Sequence, residues 1–219
     1  MIKNIVFDLG GVVLPLNPEE AWRRFESLGI KNARQQMGLY GQTGIFLQVE
    51  NGELSVDQFL YELNKQARRQ ADENEVVEYI GFEKAQWAWK GYLDNVELYR
   101  LKNLEILKTN YNILLLSNIN PFVVEWASKN EFSGDGHPIG HYFHKMFYSY
   151  EMHDYKPAES IFRKLIDIAG ILPEETLFLD DCIKNIKAAD NVGMHTIHVK
   201  ENADWMPVIT EQLKFFNKL

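Results

Sequence analysis

Five short apolar segments alternate with helix-forming segments along the 219-residue chain, and this alternation restricts its fold more than any other feature of the sequence. The segments lie at Ile5–Phe7, Asn112–Leu116, Lys145–Ser149, Thr176–Leu179 and His195–Val199. Apolar runs of this kind, joined by helices, are typical of strands that are buried on both faces of a parallel sheet. The sequence therefore predicts an α/β fold with a doubly wound, parallel, five-stranded Rossmann-like sheet.

A long helical block separates the first apolar segment from the other four. Asn17 and Ser55 are suitable helix N-caps, and Glu20 and Gln58 stand in the positions that complete a capping box. No convincing strand lies between residues 16 and 93. We therefore predict a helical insert between the first strand and its next partner in the sheet.

Composition and charge exclude several classes of function. The formal net charge of −8 at pH 7, with no basic stripe, disfavours nucleic-acid binding because a phosphate backbone would be repelled. The single cysteine, Cys182, cannot form an internal disulfide, which fits a reducing cytoplasm. No apolar run approaches the length of a membrane span, and Asp8 interrupts the one at the N-terminus. We predict a cytoplasmic protein, a monomer or homodimer, that binds neither nucleic acid nor membranes.

Three of the apolar segments end in polar or acidic residues. Asp8 follows the first segment, Ser117-Asn118 the second and Asp180-Asp181 the fourth. Right-handed crossovers bring the carboxyl ends of parallel strands to one edge of the sheet, where α/β folds bind their ligands. The alternative is that each of these residues only caps a turn. Because turn chemistry alone does not explain three such endings, the sequence predicts one functional crevice.

The residues at these strand ends have the chemistry of a phosphoryl-transfer site. Clustered carboxylates repel one another unless a cation lies between them, and oxygen ligands without His or Cys suit Mg²⁺. A carboxylate beside Mg²⁺ can attack phosphorus and form an aspartyl-phosphate. The Ser117 hydroxyl and the Asn118 amide are candidate donors to the phosphoryl oxygens, and Lys156 is the candidate cation. The alternative for Lys156 is a solvated surface lysine.

Four short motifs resemble, in order and approximate spacing, those of the haloacid dehalogenase-like hydrolase superfamily. They are Asp8-Leu9-Gly10-Gly11-Val12, Leu116-Ser117-Asn118, Lys156-Pro157 and Leu179-Asp180-Asp181. Within the superfamily the chain most resembles the sugar-phosphate phosphatase branch, with a glucose-1-phosphatase-like member. That branch shares the Asp-Leu-Gly start and a stretch similar to Gly52-Glu53-Leu54-Ser55.

The resemblance implies a role for each residue of the motifs. Asp8 would be the nucleophile and a Mg²⁺ ligand, together with the main-chain carbonyl of Gly10. Asp181 would bind the metal directly and Asp180 through water. The phosphoryl oxygens would be held by Ser117, Asn118 and Lys156. The resemblance also implies that residues 1–15 and 94–219 form the α/β core domain and residues 16–93 a helical cap domain, with hinges near 15–17 and 91–96.

One position departs from the pattern of the superfamily. Most of its phosphatases carry a second aspartate two residues after the nucleophile, as general acid and base, and this chain has Gly10 there. Such proton transfer is typically worth ~10²–10⁴-fold in rate. The leaving group could depart unaided, or Glu50, His153 or Asp154 could replace the missing carboxyl. The remaining alternative is a weak enzyme.

Several residues of the cap are candidates for contact with substrate. Phe46 and Glu50 lie in a glycine-flanked stretch where the cap of this superfamily often meets its substrate. Trp22, Trp87 and Trp89 could stack on a sugar, although burial between cap helices is the commoner use of tryptophan and the one that we predict.

The sequence thus predicts a Mg²⁺-dependent phosphatase that acts on a small phosphorylated metabolite, such as a sugar phosphate, through an aspartyl-phosphate on Asp8. A carbon–halogen dehalogenase is one alternative, but it needs no metal and leaves Asp180 and Asp181 unexplained. A non-catalytic phospho-ligand-binding protein, which lacks proton transfer because of Gly10, is the other.

Overall fold

A single parallel sheet forms the centre of the structure, a computed structural model that describes residues 1–38, 41–74, 76–93 and 96–216. Its strands are β1 (Asn4–Phe7), β2 (Asn112–Ser117), β3 (Lys145–Tyr148), β4 (Thr176–Asp180) and β5 (His195–His198). Their order is β3-β2-β1-β4-β5, and every neighbouring pair is parallel. The predicted α/β, five-stranded Rossmann-like fold is confirmed. The strand order reverses at β1, which is where such sheets bind ligands.

The insert that follows β1 contains only helices among its described residues. They are α1 (Pro18–Ser27), α2 (Ala33–Gln36), α3 (Gly44–Glu50), α4 (Val56–Gln70) and α5 (Phe82–Lys90). Ser55 forms the complete capping box with Gln58 that the sequence predicts. At α1 only half of the predicted box forms. Asn17 accepts from the Glu20 amide, but the Glu20 carboxylate binds Arg23 and Arg24, whose guanidinium groups are stronger partners than a backbone amide.

The remaining helices connect and cover the strands. They are α6 (Leu98–Lys108), α7 (Pro121–Ala127), α8 (Ser149–Met152), α9 (Glu159–Ala169), α10 (Ile183–Asn191) and α11 (Met206–Phe216). Each of the five strands differs from the sequence prediction by one residue at one end. Ser149 begins α8 instead of ending β3, and α9 begins at Glu159 rather than at Pro157. Among the described residues, no helix is both long and apolar enough to cross a bilayer.

The central strands β1, β2 and β4 bury side chains on both faces of the sheet, which is why their sequences are almost continuously apolar. The edge strands β3 and β5 are only partly buried, and Lys145 and His198 on them are exposed. Val6 and Phe178 pack against Phe162 of α9 in the core on one face. Ile5 and Phe7 belong to the core on the other face, which continues without a break into the insert. The insert is thus packed against the sheet domain by shared apolar side chains.

Candidate active site

The carboxyl ends of β1, β2 and β4 meet at one cavity, as the sequence predicts. Its lining includes nearly all of the predicted site residues, namely Asp8, Gly10, Glu50, Ser117, Asn118, Lys156 and Asp181. The sheet register aligns Phe7 with Leu115 on one side and Leu179 on the other, so the residues that follow these positions are neighbours. The Asp8 amide donates to the Leu179 carbonyl at 2.9 Å and fixes the nucleophile candidate at this edge.

Lys156 is buried at the base of the cavity and is not a surface lysine, since its side chain is only 1% exposed. Its Nζ lies 2.8 Å from Asp8 Oδ1 and 2.8 Å from Asp180 Oδ2. Burial alone would lower the pKa of Lys156, but Asp180 and Asp8 raise that pKa above its ordinary value. Lys156 is therefore a fixed cation between two carboxylates.

Asn118 holds the backbone of Lys156 through both ends of its side-chain amide. Its Oδ1 accepts from the Lys156 amide at 2.9 Å, and its Nδ2 donates to the Lys156 carbonyl at 3.0 Å. The sequence suggested this amide as a donor to the phosphoryl group. In the structure it ties the end of β2 to the segment that carries Lys156.

Asp180 lies below the cavity instead of lining it. Its carboxylate is fully buried and accepts from the Cys182 amide at 2.8 Å, from Asn185 Nδ2 at 3.0 Å and from Lys156. These bonds engage both carboxylate oxygens. Asp180 therefore orients Lys156 and the turn after β4, and the water-mediated metal contact predicted for it stays a prediction.

Asp181 has the environment of a cation ligand. Its buried Oδ2 has no hydrogen-bond partner among the described residues, and a side chain at Gly11, where φ is +75°, would overlap that oxygen. Oxygens of Asp8, Asp180 and Asp181 lie within 4.8 Å of one another. Burial raises the pKa of Asp181 to about 8, with repulsion from Asp8 and Asp180 adding to the shift. A hard divalent cation would neutralise this cluster, so the residues present fit Mg²⁺.

Glu50 reaches the cavity from the C-terminal end of α3 in the insert. Its Oε2 accepts from the Tyr155 hydroxyl at 3.1 Å and its Oε1 from Asn120 Nδ2 at 3.4 Å. Ser149 Oγ also donates to the Glu50 carbonyl, so both ends of the residue are attached to the sheet domain. Burial raises the pKa of Glu50 to about 7, although the Asn120 and Tyr155 donors act to lower that pKa.

Of the other cap candidates, Trp89 lines the cavity, whereas Phe46 and Trp87 do not. Phe46 is fully buried among aromatic rings, 5.1 Å from Phe25 and 5.5 Å from Trp89 between ring centroids. Trp89 is buried as predicted and lines the cavity, but Trp87 is 42% exposed beneath Arg24, where burial was predicted.

The other cap tryptophan and the two further substitutes for the missing acid also lie elsewhere. Trp22 is half-buried and donates to the Met37 carbonyl. Asp154 binds Lys164, and His153 lies beside Gly52; neither belongs to the cavity lining.

Two residues that hold Glu50 were missed from the sequence. Asn120 also caps α7, where its Oδ1 accepts from the Val123 amide, and Asn120-Pro121 repeats the Asn17-Pro18 pattern. That pattern predicts that Asn120 is the N-cap of α7, but it does not predict that Nδ2 of Asn120 donates to Glu50. Tyr155 directly precedes Lys156, a predicted site residue, and this adjacency could have indicated that Tyr155 lies near the site.

The chain is similar in sequence and in fold to several known proteins. Residues 2–193 match the model of the haloacid dehalogenase-like hydrolase family. A D-ribitol-5-phosphate phosphatase from Bacteroides thetaiotaomicron is 38% identical over 210 residues, which are 96% of this chain and 98% of that protein. A predicted hydrolase of the same family from Porphyromonas gingivalis has a TM-score of 0.89 at 34% identity, with 98% of both chains covered. A Bacteroides thetaiotaomicron family enzyme, solved with magnesium and inorganic phosphate, has a TM-score of 0.85 at 31% identity, with 95% of this chain and 99% of that chain covered.

A more distant structure shares the fold alone. The L-2-haloacid dehalogenase from Xanthobacter autotrophicus has a TM-score of 0.58 at 17% identity, with 98% of this chain and 83% of that chain covered. The family match extends over most of the sequence and includes all four motifs. It confirms the prediction of a hydrolase that was made from those motifs, and the chain belongs to the haloacid dehalogenase-like hydrolase family.

Proposed function

We propose that this protein is a Mg²⁺-dependent phosphatase that hydrolyses a small sugar or polyol phosphate through an aspartyl-phosphate on Asp8. The observation that carries the proposal is the pairing of Asp8 with buried Lys156 beside the unpartnered oxygen of Asp181. One cavity thus combines a nucleophile, a fixed cation and an open oxygen ligand, which are the groups that phosphoryl transfer requires.

The chain's own residues perform the two displacements. Leu9 N–H and Lys156 Nζ hold Asp8 Oδ1 at 2.7 Å and 2.8 Å, which fixes the carboxylate at the floor of the cavity. An Asp8 oxygen forms a bond to phosphorus while the ester P–O bond breaks, and the leaving oxygen takes up a proton. Water then attacks the phosphorus and restores Asp8. Ser117 and Lys156 hold the phosphoryl oxygens, and Asn118 keeps Lys156 in place.

Mg²⁺ would neutralise charge on the phosphoryl group when it is bound. Asp8, the Gly10 carbonyl and Asp181 would hold the ion, and Asp180 would support them through Lys156 or a bridging water. The donor set is all oxygen, which suits Mg²⁺. The raised pKa of Asp181 and its unpartnered Oδ2 support this assignment.

Saturating Mg²⁺ should raise the melting temperature of the protein by roughly 5–10 °C, because binding at about 100 times Kd adds about 2.7 kcal/mol to stability. Asp181→Asn should abolish that rise. Without metal the variant should melt no lower than the parent, since the substitution removes like-charge repulsion from Asp8 and Asp180. Thermal melts with and without EDTA measure both effects, and Asp167→Asn, at an exposed position of α9, is the control. A full Mg²⁺ response in Asp181→Asn would refute the ligand assignment.

The substrate class rests on the relative and on the lining of the cavity. The relative with 38% identity over nearly the whole chain is named a D-ribitol-5-phosphate phosphatase. Polar groups from the insert and the sheet domain line this cavity above Asp8, among them Gln42, Asn120 and Tyr155. Gln42 Oε1 is buried with no hydrogen-bond partner among the described residues, so it is available to accept from a substrate hydroxyl.

The insert closes the cavity in this proposal, with residues 16–93 as the cap and residues 1–15 and 94–219 as the core domain. Two hydrogen bonds support a closed arrangement. Gln86 Nε2 donates to the Phe122 carbonyl at 2.9 Å, and Ser149 Oγ donates to the Glu50 carbonyl. A closed cap excludes water and strengthens the electrostatic contacts within the site.

A substrate panel with Mg²⁺ tests the proposed function. We expect the highest kcat/KM for pentitol and pentose 5-phosphates, lower values for shorter phosphate esters, and loss of turnover with EDTA. The panel includes 2-haloacids, because a dehalogenase would also use an aspartate nucleophile but would need no metal. Release of halide in EDTA, or no phosphate release from any ester, would overturn the proposal.

A further inference from the structure

We propose that Glu50 is the general acid that protonates the leaving oxygen of the substrate and, in the second step, the base that activates water. This inference rests on the proposed phosphatase function. It assigns proton transfer to a residue of the insert, across the cavity from the nucleophile.

Gly10 has no side chain that could act as the general acid. An ideal Cβ at Gly10 would lie 2.9 Å from Leu16 Cδ2, so the Leu16 side chain fills the space that a longer residue would need. An alkoxide is a poor leaving group, and its departure without a proton would make the first displacement slow. A donor must therefore come from elsewhere in the cavity.

In-line displacement decides from which side the proton comes. The attacking and leaving oxygens lie on opposite sides of phosphorus. Asp8 and Asp181 follow the ends of β1 and β4, and Lys156, from the segment between α8 and α9, contacts Asp8 there, so the leaving oxygen points towards the insert. Of the described insert residues that line the cavity, Glu50 is the one with a carboxyl group.

The anchors of Glu50 keep its carboxyl group close to the phosphoryl site. Tyr155, which donates to Oε2, is the immediate neighbour of Lys156, and Asn120, which donates to Oε1, follows Asn118 by two residues. Lys156 is assigned to the phosphate and Asn118 fixes its backbone, so both anchors belong to the two segments that position the phosphoryl site.

The two tyrosine hydroxyls of the cavity are less suitable than Glu50 as proton donors to the leaving oxygen. The Tyr155 hydroxyl is committed to Glu50, and burial raises the pKa of Tyr155 well above its usual range. The Tyr92 hydroxyl donates to the Gly38 carbonyl at 3.0 Å, and burial raises its pKa as well. These two tyrosines are the titratable groups that face Glu50, and no lysine or arginine in the described part of the chain forms an ion pair with it.

The proposed steps balance atoms and protons. As Asp8 oxygen bonds to phosphorus, the ester P–O bond breaks, its electron pair stays on the leaving oxygen, and that oxygen takes the Glu50 proton to give an alcohol. In the second step, Glu50 carboxylate takes a proton from the water that attacks phosphorus, and the bond between phosphorus and Asp8 oxygen breaks. Inorganic phosphate leaves, and Glu50 is again protonated. A pKa of about 7 suits both roles at neutral pH.

The test compares two leaving groups in Glu50→Gln. D-ribitol 5-phosphate releases an alkoxide, whereas p-nitrophenyl phosphate releases a stable phenolate that needs no proton. The ratio kcat/KM reports events up to loss of the leaving group. We expect it to fall by about 10²–10⁴-fold for D-ribitol 5-phosphate and by less than about 10-fold for p-nitrophenyl phosphate. The alkaline decline of kcat/KM near pH 7 for the parent on D-ribitol 5-phosphate should disappear in the variant.

The control is Glu53→Gln, an exposed carboxylate three residues along the chain, and it should match the parent on both esters. Thermal melts verify that Glu50→Gln is folded. Equal losses on the two esters, or an unchanged kcat/KM for D-ribitol 5-phosphate, would overturn the role of Glu50. Failure of the parent to release phosphate from any ester of the substrate panel would instead overturn the phosphatase function itself.

Discussion

Asp8→Asn should lower kcat/KM for phosphate esters by at least about 10⁴-fold, the scale on which enzymes that use a covalent intermediate lose activity without their nucleophile. The neutral amide of asparagine cannot form the acyl-phosphate. The substitution also removes the negative charge that pairs with Lys156 Nζ at 2.8 Å. Steady-state assays with p-nitrophenyl phosphate and D-ribitol 5-phosphate in Mg²⁺ measure the loss. Both esters should be affected equally, which distinguishes this variant from Glu50→Gln.

The matched control is Asp167→Asn, which makes the same chemical change at an exposed position of α9. It should retain the activity of the parent. Asp8→Asn should remain folded, because Lys156 keeps Asp180 as an ion-pair partner at 2.8 Å. Rapid quenching of the parent with acid should trap phosphate on the protein, and Asp8→Asn should trap none. An Asp8→Asn variant that turns over esters as well as the parent would exclude Asp8 as the nucleophile.

The position of the site could be predicted from sequence because the rules that govern it are topological. Parallel strands joined by right-handed crossovers leave their carboxyl ends at one edge, so Asp8, Ser117 and Asp181 had to meet once the strands were recognised. The three central strands were recognised because burial on both faces makes their sequences apolar, and the two edge strands from shorter apolar stretches between helices. Each strand was misplaced by one residue at one end and the start of α9 by two residues, because the ends of such elements are weakly specified by sequence.

The separate roles of the site residues could not be predicted, because each role depends on the hydrogen-bond partners of the side chain in the folded protein. Asn118 uses its amide on the backbone of Lys156, and Asp180 uses both oxygens below the cavity. Asp180 and Asp181 are adjacent and chemically identical in the sequence. In the structure both oxygens of Asp180 accept hydrogen bonds, whereas Oδ2 of Asp181 has no partner among the described residues. Asn185 donates to Asp180, whereas Asp181 Oδ2 lies against Gly11, which has no side chain to donate.

Contacts between the insert and the sheet domain were the least predictable part. Glu50 lies far from Asn120 and Tyr155 in sequence, and no periodicity relates them. The apolar faces of the insert helices indicated only that they pack, not where. Trp87 and Trp89, two residues apart, have opposite environments because they point to different sides of α5.

Lys156→Met should destabilise the protein by about 3–5 kcal/mol, since loss of one partner leaves buried carboxylates uncompensated. The melting temperature in EDTA should fall by roughly 6–20 °C, at 2–4 °C per kcal/mol for a chain of this size. The phosphatase activity should fall by at least about 10²-fold, as when a donor to the developing charge is removed. The control is Lys164→Met. Lys164 is 44% exposed and binds Asp154 at 2.9 Å, and loss of such a surface pair should cost less than about 1 kcal/mol.

The pH dependence of Lys156→Met distinguishes a lost charge from a lost packing contact. Burial already raises the pKa of Asp8 in the parent, and without the ammonium that pKa rises further. A carboxyl group with a raised folded-state pKa binds its proton more tightly in the folded protein. It therefore stabilises the fold at low pH, and this contribution is lost as the pH rises above the unfolded value of about 4. Relative to the parent, the variant should accordingly be least stable near pH 8 and recover towards pH 5, whereas Lys164→Met should not show this recovery. Mg²⁺ should restore part of the stability at pH 8, because the ion supplies positive charge to Asp8 and Asp181. A loss that is the same at pH 5 and pH 8 would mean that Lys156 contributes through packing and not as the cation between Asp8 and Asp180.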